Sequence, residues 1–178
     1  MPLSKEDIRA AAERLDRAEK TRTQIRQLSQ EFPAVTLEDA YAIQKAWIGI
    51  KTSAGRVVKG HKIGLTSKAM QSALNIDEPD SGVLLDDMFF ADGGVVPTER
   101  FIATRVEAEL AFVMSKRLAG PDCTMFDVLN ATDFVVPALE ILDTRIERVD
   151  PKTRATRKIF DTIADNAANA GIVLGGRP

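Results

Sequence analysis

The chain has 178 residues, with 24 Lys and Arg against 26 Asp and Glu, a net charge of −2, and 44% hydrophobic residues. That is enough apolar side chain for one cored domain, alone or with a small helical extension. The balanced charge argues against a surface built for nucleic acid or anionic membrane. A single cysteine, Cys123, excludes an intrachain disulfide and a cysteine zinc cage, and a single histidine, His61, excludes a multi-histidine metal site. No apolar run is long enough for a membrane-spanning helix, and the polar start Met1-Pro2-Leu3-Ser4-Lys5 lacks a signal-peptide core, so a cytoplasmic globular protein is expected.

Two helices open the chain. Ser4 and Asp7 have capping-box spacing, and Ile8, Ala11, Ala12 and Leu15 follow at helical intervals. This helix is expected to run on, polar, to about Gln30; its thin apolar stripe predicts a place on the surface or against a partner subunit. Pro33 interrupts it. Thr36 and Asp39 cap a second helix with the stripe Ala40, Ile43, Trp47 and Ile50, and Gly55 stops it. Residues 56–65 then read as a strand entering a glycine-flanked turn around His61-Lys62-Ile63, residues 67–74 as a short helix, and residues 75–82 as a loop. Residues 83–90 read as extended, and Asp92-Gly93-Gly94 as a hairpin-type turn. Residues 105–114 alternate as a strand, and Thr124 with Asp127 caps another short helix. Cys123 reads as structural. Residues 134–142 form a nearly continuous apolar run, the pattern of a buried strand. Residues 161–170 read as a turn and short helix, and residues 171–175 as a last strand. A strand so close to the end of the sequence is expected at an uncovered sheet edge, which leaves open that the chain is a fragment.

The chemistry concentrates in acidic residues. On a strand, Glu107 and Glu109 share one face about 6–7 Å apart, and Val106, Ala108, Leu110, Phe112 and Met114 share the other. Like charges so placed repel unless a cation lies between them, and a hard divalent ion with oxygen ligands suits them. The competing reading is a solvated strand face on which they pair with Arg105 or Lys116. Glu140 interrupts the apolar run 134–142; a charge there is paired, marks a strand edge or holds a metal. Lys62, between Gly60 and Gly64, is a candidate for neutralising a substrate carboxylate or moving a proton, against the commoner exposed turn lysine. His61 is a second acid/base candidate or incidental, and Asp80 alone reads as a turn residue.

Taken together, Lys59-Gly-His-Lys-Ile-Gly-Leu-Thr-Ser67, Glu78-Pro-Asp-Ser-Gly82, Arg105-Val-Glu-Ala-Glu-Leu-Ala-Phe112, Val136-Pro-Ala-Leu-Glu140 and Asp165-Asn-Ala-Ala-Asn-Ala-Gly171 resemble the 2-keto-4-pentenoate hydratase family of the fumarylacetoacetate hydrolase superfamily. The resemblance is collinear over the whole chain. It implies an α+β fold, the superfamily's mixed β-roll, with a helical region at 1–55 and a catalytic domain at 56–178. It implies that this domain is incomplete, because family chains run well past this length. It puts the metal ligands on Glu107, Glu109 and Glu140, holding Mg²⁺ (or Mn²⁺), with Lys62 and Asp80 as the acid/base and positioning pair and His61 nearby. The implied activity is a hydro-lyase of aromatic-compound catabolism, in which the metal chelates a 2-oxo acid and water adds at C4. The strings Leu84-Leu-Asp-Asp-Met-Phe-Phe90 and Asp161-Thr-Ile-Ala-Asp-Asn-Ala167 look like the family member that takes a seven-carbon dicarboxylate. The alternatives are a 4-oxalocrotonate-type decarboxylase, an inactive truncated chain acting only in binding or assembly, and a carbon–carbon bond hydrolase. The resemblance also implies a higher homo-oligomer, with no nucleic-acid or membrane partner.

Overall fold

The computed structural model of the chain describes residues 2–74, 76 and 78–176. Helix α1 (Lys5–Thr21) starts as its capping spacing predicts: the Ser4 hydroxyl accepts the Asp7 N–H, and the Asp7 carboxylate accepts the Ser4 N–H. It ends sooner than expected, because Arg22 turns left-handed at φ 52° and its N–H folds back on the Ala18 and Glu19 carbonyls. The thin stripe of α1 is not left for a partner. Ala11, Ala12 and Leu15 are fully buried against Ala40, Ile43 and Trp47 of α3 (Leu37–Ser53), and small side chains let the two helices close on each other. A single turn, α2 (Leu28–Glu31), joins them. The same core takes Ile146 and, from α6 (Ile159–Ala164), Ile163 and Ala164. The first helices therefore pack on residues more than a hundred positions away. Among the described residues, no helix is long and apolar enough to cross a membrane.

Two sheets follow. Strand β1 (Val58–Gly64) runs antiparallel to β2 (Asp80–Leu85), with α4 (Lys68–Leu74) in the connection. Of the expected loop at 75–82, Asn75 and Asp77 lie outside the described residues, and Asp80 opens β2 rather than sitting in a turn. The expected extended run 83–90 is broken by a 3₁₀ turn over Asp86–Met88 before β3 (Phe89–Phe90). The second sheet has the order β3-β6-β5-β4, built with β4 (Arg105–Met114), β5 (Thr132–Leu142) and β6 (Asn169–Leu174); α5 (Met125–Ala131), capped by Thr124, links β4 to β5. The turn at Asp92 forms, with Gly93 at φ 70°. It closes no hairpin, because β3 pairs parallel with β6. The same pairing corrects the expectation for β6. Its backbone is bonded to β5 on one side and, at Ile172 and Val173, to β3 on the other, so the sheet's edges are β3 and β4.

Edge position explains a second departure. The apolar face of β4, whose alternation would suit burial, has Val106 59%, Leu110 67% and Phe112 55% exposed, since no described element packs on it. β5 buries Val136, Ala138, Glu140 and Ile141 but leaves Phe134 and Leu139 open. Cys123 is exposed, not structural.

The connection into β6 is strained. Asn166, Ala167 and Ala168 all take left-handed φ, at 55°, 51° and 58°. Each such non-glycine residue costs about 1–2 kcal/mol, so the turn must be held from outside. Buried Arg145 holds it. Its Nε donates to Asp165 Oδ1 at 2.5 Å, its Nη2 to the carbonyls of Asp165 (2.8 Å) and Asn169 (3.2 Å), and its guanidinium lies 5.0 Å from the Trp47 ring. The turn in turn grips β2: Asn166 Oδ1 accepts the Val83 N–H at 2.7 Å, and the Asn166 and Asn169 amides donate to the Val83 carbonyl at 2.9 and 3.1 Å. Replacing Asp165 with Asn leaves Arg145 buried and uncompensated, and is expected to lower the unfolding free energy by about 3–5 kcal/mol, read as a fall in the urea midpoint. An unchanged midpoint would show that the pair does not hold the turn.

Candidate metal and acid–base site

The two sheets meet across Lys62 and Glu140. In the β1–β2 pair, Lys62 lies opposite Gly82 and Gly64 opposite Asp80, so Lys62 and Asp80 share one face. Both glycines are needed there. A Cβ on Gly64 would land on Asp80 Oδ1 and beside Lys62 Nζ; one on Gly82 would lie 2.6 Å from the Asn166 carbonyl oxygen and 3.2 Å from Lys62 Cγ. The left-handed turn is thus pressed directly onto the strand opposite Lys62. His61 lies opposite Val83 on the other face and is exposed, so the structure does not bring it into the cluster.

On the second sheet, Glu107 stands directly opposite Glu140 in the β4–β5 register, with Glu109 two residues further on the same face. One carboxylate oxygen from each of the three lies within 4.8 Å of the others. Among the described residues, Glu107 and Glu109 form no ion pair or hydrogen bond, so the solvated-face pairing with Arg105 or Lys116 does not occur. Glu140 is buried, its Oε1 accepts no hydrogen bond, and Lys62 Nζ is 3.5 Å away. Burial pushes the Glu140 carboxyl up to about 7; Lys62 pulls against this, while Glu107 and Glu109 push it further. Asp80 is buried with Oδ1 unpartnered. Burial pushes its carboxyl above the usual range, against the pull of the Lys62 cation and the Gly64 N–H.

A divalent cation fits this donor set. Three carboxylate oxygens, one of them buried without a donor, converge with no competing hydrogen bond, and hard ions take oxygen ligands. Oxygens on one Mg²⁺ lie at most about 4 Å apart, twice the metal–oxygen bond, so small side-chain rotations suffice. Beside Asp80 opens a cavity of about 190 Å³ walled by Leu37, Leu65, Ile159, Phe160 and Ile163, with Glu78 also in its lining. Asn166 stands in a sequence motif without a role of its own, and Arg105 precedes Glu107 by two residues and so shares its face. Nothing local pointed to Arg148, which reaches the carbonyl of Ala103 at 3.5 Å from another part of the chain.

No protein-family model matches the sequence. In sequence and fold the chain is nevertheless similar to members of the 2-keto-4-pentenoate hydratase family. It is 62% identical to the 2-oxo-hept-4-ene-1,7-dioate hydratase of Escherichia coli, over 94% of this chain and 62% of that protein. It is 42% identical to the 2-keto-4-pentenoate hydratase of Paraburkholderia xenovorans, over 94% of this chain and 60% of that one. Its mixed helix-and-sheet fold is that of the 4-oxalocrotonate decarboxylase from Pseudomonas putida G7, solved in complex with magnesium and adipate: TM-score 0.89, 34% identity, over 98% of this chain and 64% of that one. The chain thus spans less than two thirds of the length of these relatives.

The two neighbouring glycines separate packing from chemistry. Gly82→Ala forces a backbone carbonyl to move and is expected to cost about 1–3 kcal/mol. Gly60→Ala, whose nearest neighbour would be Leu84 Cδ1 at an ordinary 3.5 Å, is expected to leave the melting temperature within about 2 °C.

Proposed function

We propose that the chain carries the metal and acid–base centre of a hydro-lyase acting on 2-oxo-hept-4-ene-1,7-dioate, or its 2-hydroxy-2,4-diene tautomer, to give 4-hydroxy-2-oxoheptanedioate. The observation that carries this reading is the convergence of Glu107, Glu109 and Glu140 beside Lys62 and Asp80. The 62% identity to the E. coli hydratase supports the substrate and the hydration chemistry. The likeness to a decarboxylase solved with magnesium supports Mg²⁺, or Mn²⁺, and a β-roll of the fumarylacetoacetate hydrolase type over residues 56–178, with residues 1–55 as its helical region.

In this reading Glu107, Glu109 and Glu140 hold the ion. A divalent ion held there would supply Lewis-acid polarisation to the 2-oxo acid end of the substrate. The chain's own residues handle protons and position. Conversion of the 4-ene to the conjugated 3-ene removes a proton at C3 and adds one at C5; hydration then adds the OH of water at C4 and its proton at C3. Asp80, with Oδ1 unpartnered and its carboxyl raised by burial, is suited to hold and release a proton at that oxygen. Lys62 Nζ supplies a fixed positive charge between Asp80 and Glu140, which attracts an anionic keto acid and orients it toward Asp80. The cavity beside Asp80 offers the carbon chain of a substrate apolar side chains next to that carboxyl. His61 receives no role.

Feeding 2-hydroxyhepta-2,4-dienedioate with Mg²⁺ is the direct test. Formation of the hydrated product without CO₂ is expected; stoichiometric CO₂ would make the chain a decarboxylase. Lys62→Met is expected to lower turnover at least about 10²-fold. Independently of turnover, Mg²⁺ at a hundred times its dissociation constant should add about 2.7 kcal/mol of stability. That corresponds to a rise of roughly 5–10 °C in melting temperature for a chain of this size. Glu140→Gln should abolish the rise, and a rise that survives it would move the ion elsewhere.

A further inference from the structure

A dicarboxylate presents a second anion, and nothing in the metal and acid–base cluster receives it. We propose that Arg105 and Arg148 form the subsite that binds the distal carboxylate and makes the chain selective for dicarboxylic over monocarboxylic 2-oxo acids; this rests on the functional reading above. Arg105 opens β4 on the same face as Glu107 and Glu109, one strand repeat from Glu107, about 6–7 Å along the strand. Arg148 comes from the segment after β5. Its Nη2 donates to the carbonyl of Ala103, two residues before Arg105, at 3.5 Å. Arg148 is close enough to Arg105 for the two cations to repel, and close enough to Glu107 to feel its charge.

Neither guanidinium is neutralised. Among the described residues, neither forms an ion pair, although Arg148 also feels Asp143 and Asp165. Both of those carboxylates are already engaged: Asp143 accepts the Ile102 and Ala103 N–H groups, and Asp165 accepts from Arg145. The two cations carry donors that no carboxylate of the chain takes up, and they stand one strand repeat from the three glutamates. Arginine pairs in a planar, two-point fashion with a carboxylate. A substrate anchored at its C1 end by the three glutamates would extend along the strand toward them.

The test uses calorimetric binding of 2-oxoheptanedioate and 2-oxohexanoate to the whole chain in saturating Mg²⁺. The unaltered chain is expected to bind the diacid at least tenfold more tightly. Arg105→Ala and Arg148→Gln should each weaken diacid binding by about tenfold or more, the usual loss for a hydrogen bond to a charged group, while the monoacid is unaffected. Arg105 is exposed, so its truncation does not threaten the fold; Arg148→Lys, which keeps the charge, should recover part of the selectivity. Equal affinity of the unaltered chain for both acids, or variants that leave the ratio unchanged or weaken both ligands alike, would overturn the subsite. Failure of the unaltered chain to bind either acid would overturn the functional reading itself, and the subsite with it.

Discussion

Arg145 carries its positive charge with none of its surface in water. It can do so because Asp165 meets it through both a carboxylate and a carbonyl, Asn169 adds another carbonyl, and Trp47 lies against its face. That set of contacts ties the helical core to the sheet. Trp47 belongs to the α1–α3 packing, Asp165 ends α6, and Asn169 begins β6. The left-handed residues 166–168 persist because both flanks are pinned, and their backbone and side chains then fix β2 at Val83 and Gly82. Were this turn to relax, the β1–β2 pair would lose its registration against the second sheet, and Lys62 its place beside Glu140.

The site shows why the registration matters. Three glutamates within 4.8 Å repel one another, and one of them, Glu140, is buried with an oxygen that has no hydrogen bond and only the Lys62 ammonium 3.5 Å away. A fold under selection for stability alone would put a donor there or leave the position apolar. Among the described residues the cation paired with the three glutamates, through Glu140, is Lys62, which sits beside glycines at 64 and 82. The site is therefore electrostatically incomplete in a definite direction: it lacks positive charge on the glutamate side. At its rim, among the described residues, Arg105 and Arg148 form no ion pair. The two groups lie one strand repeat apart, acidic at the glutamates and basic at the arginines.

Much of the secondary structure was legible because it is set locally. The boxes Ser4–Asp7, Thr36–Asp39 and Thr124–Asp127 all form, since a side chain and a backbone three residues apart need no tertiary help. The departures are those that depend on a distant partner. The stripe of α1 found its cover in α3 and in residues near 146 and 163. Strand β6 became interior because a two-residue strand, β3, too short to announce itself by period, pairs alongside it. The apolar face of β4 stayed open because hydrophobic alternation says that a face can be buried, not that something arrives to bury it.

The site divides along the same line. Amino-acid order alone determined that Glu107 and Glu109 share a face, that Glu140 is a charge within an apolar strand, and that glycines flank Lys62, because strand alternation and backbone freedom act over two or three residues. Only the tertiary structure decided that Glu107 and Glu140 stand opposite each other, that Lys62 rather than His61 faces them, and that Arg148 comes to lie beside Arg105. Those are choices of pairing register and of which face of a strand meets another sheet. They are set by the buried contacts of Arg145 and the turn at 166–168, whose partners lie far apart in the chain.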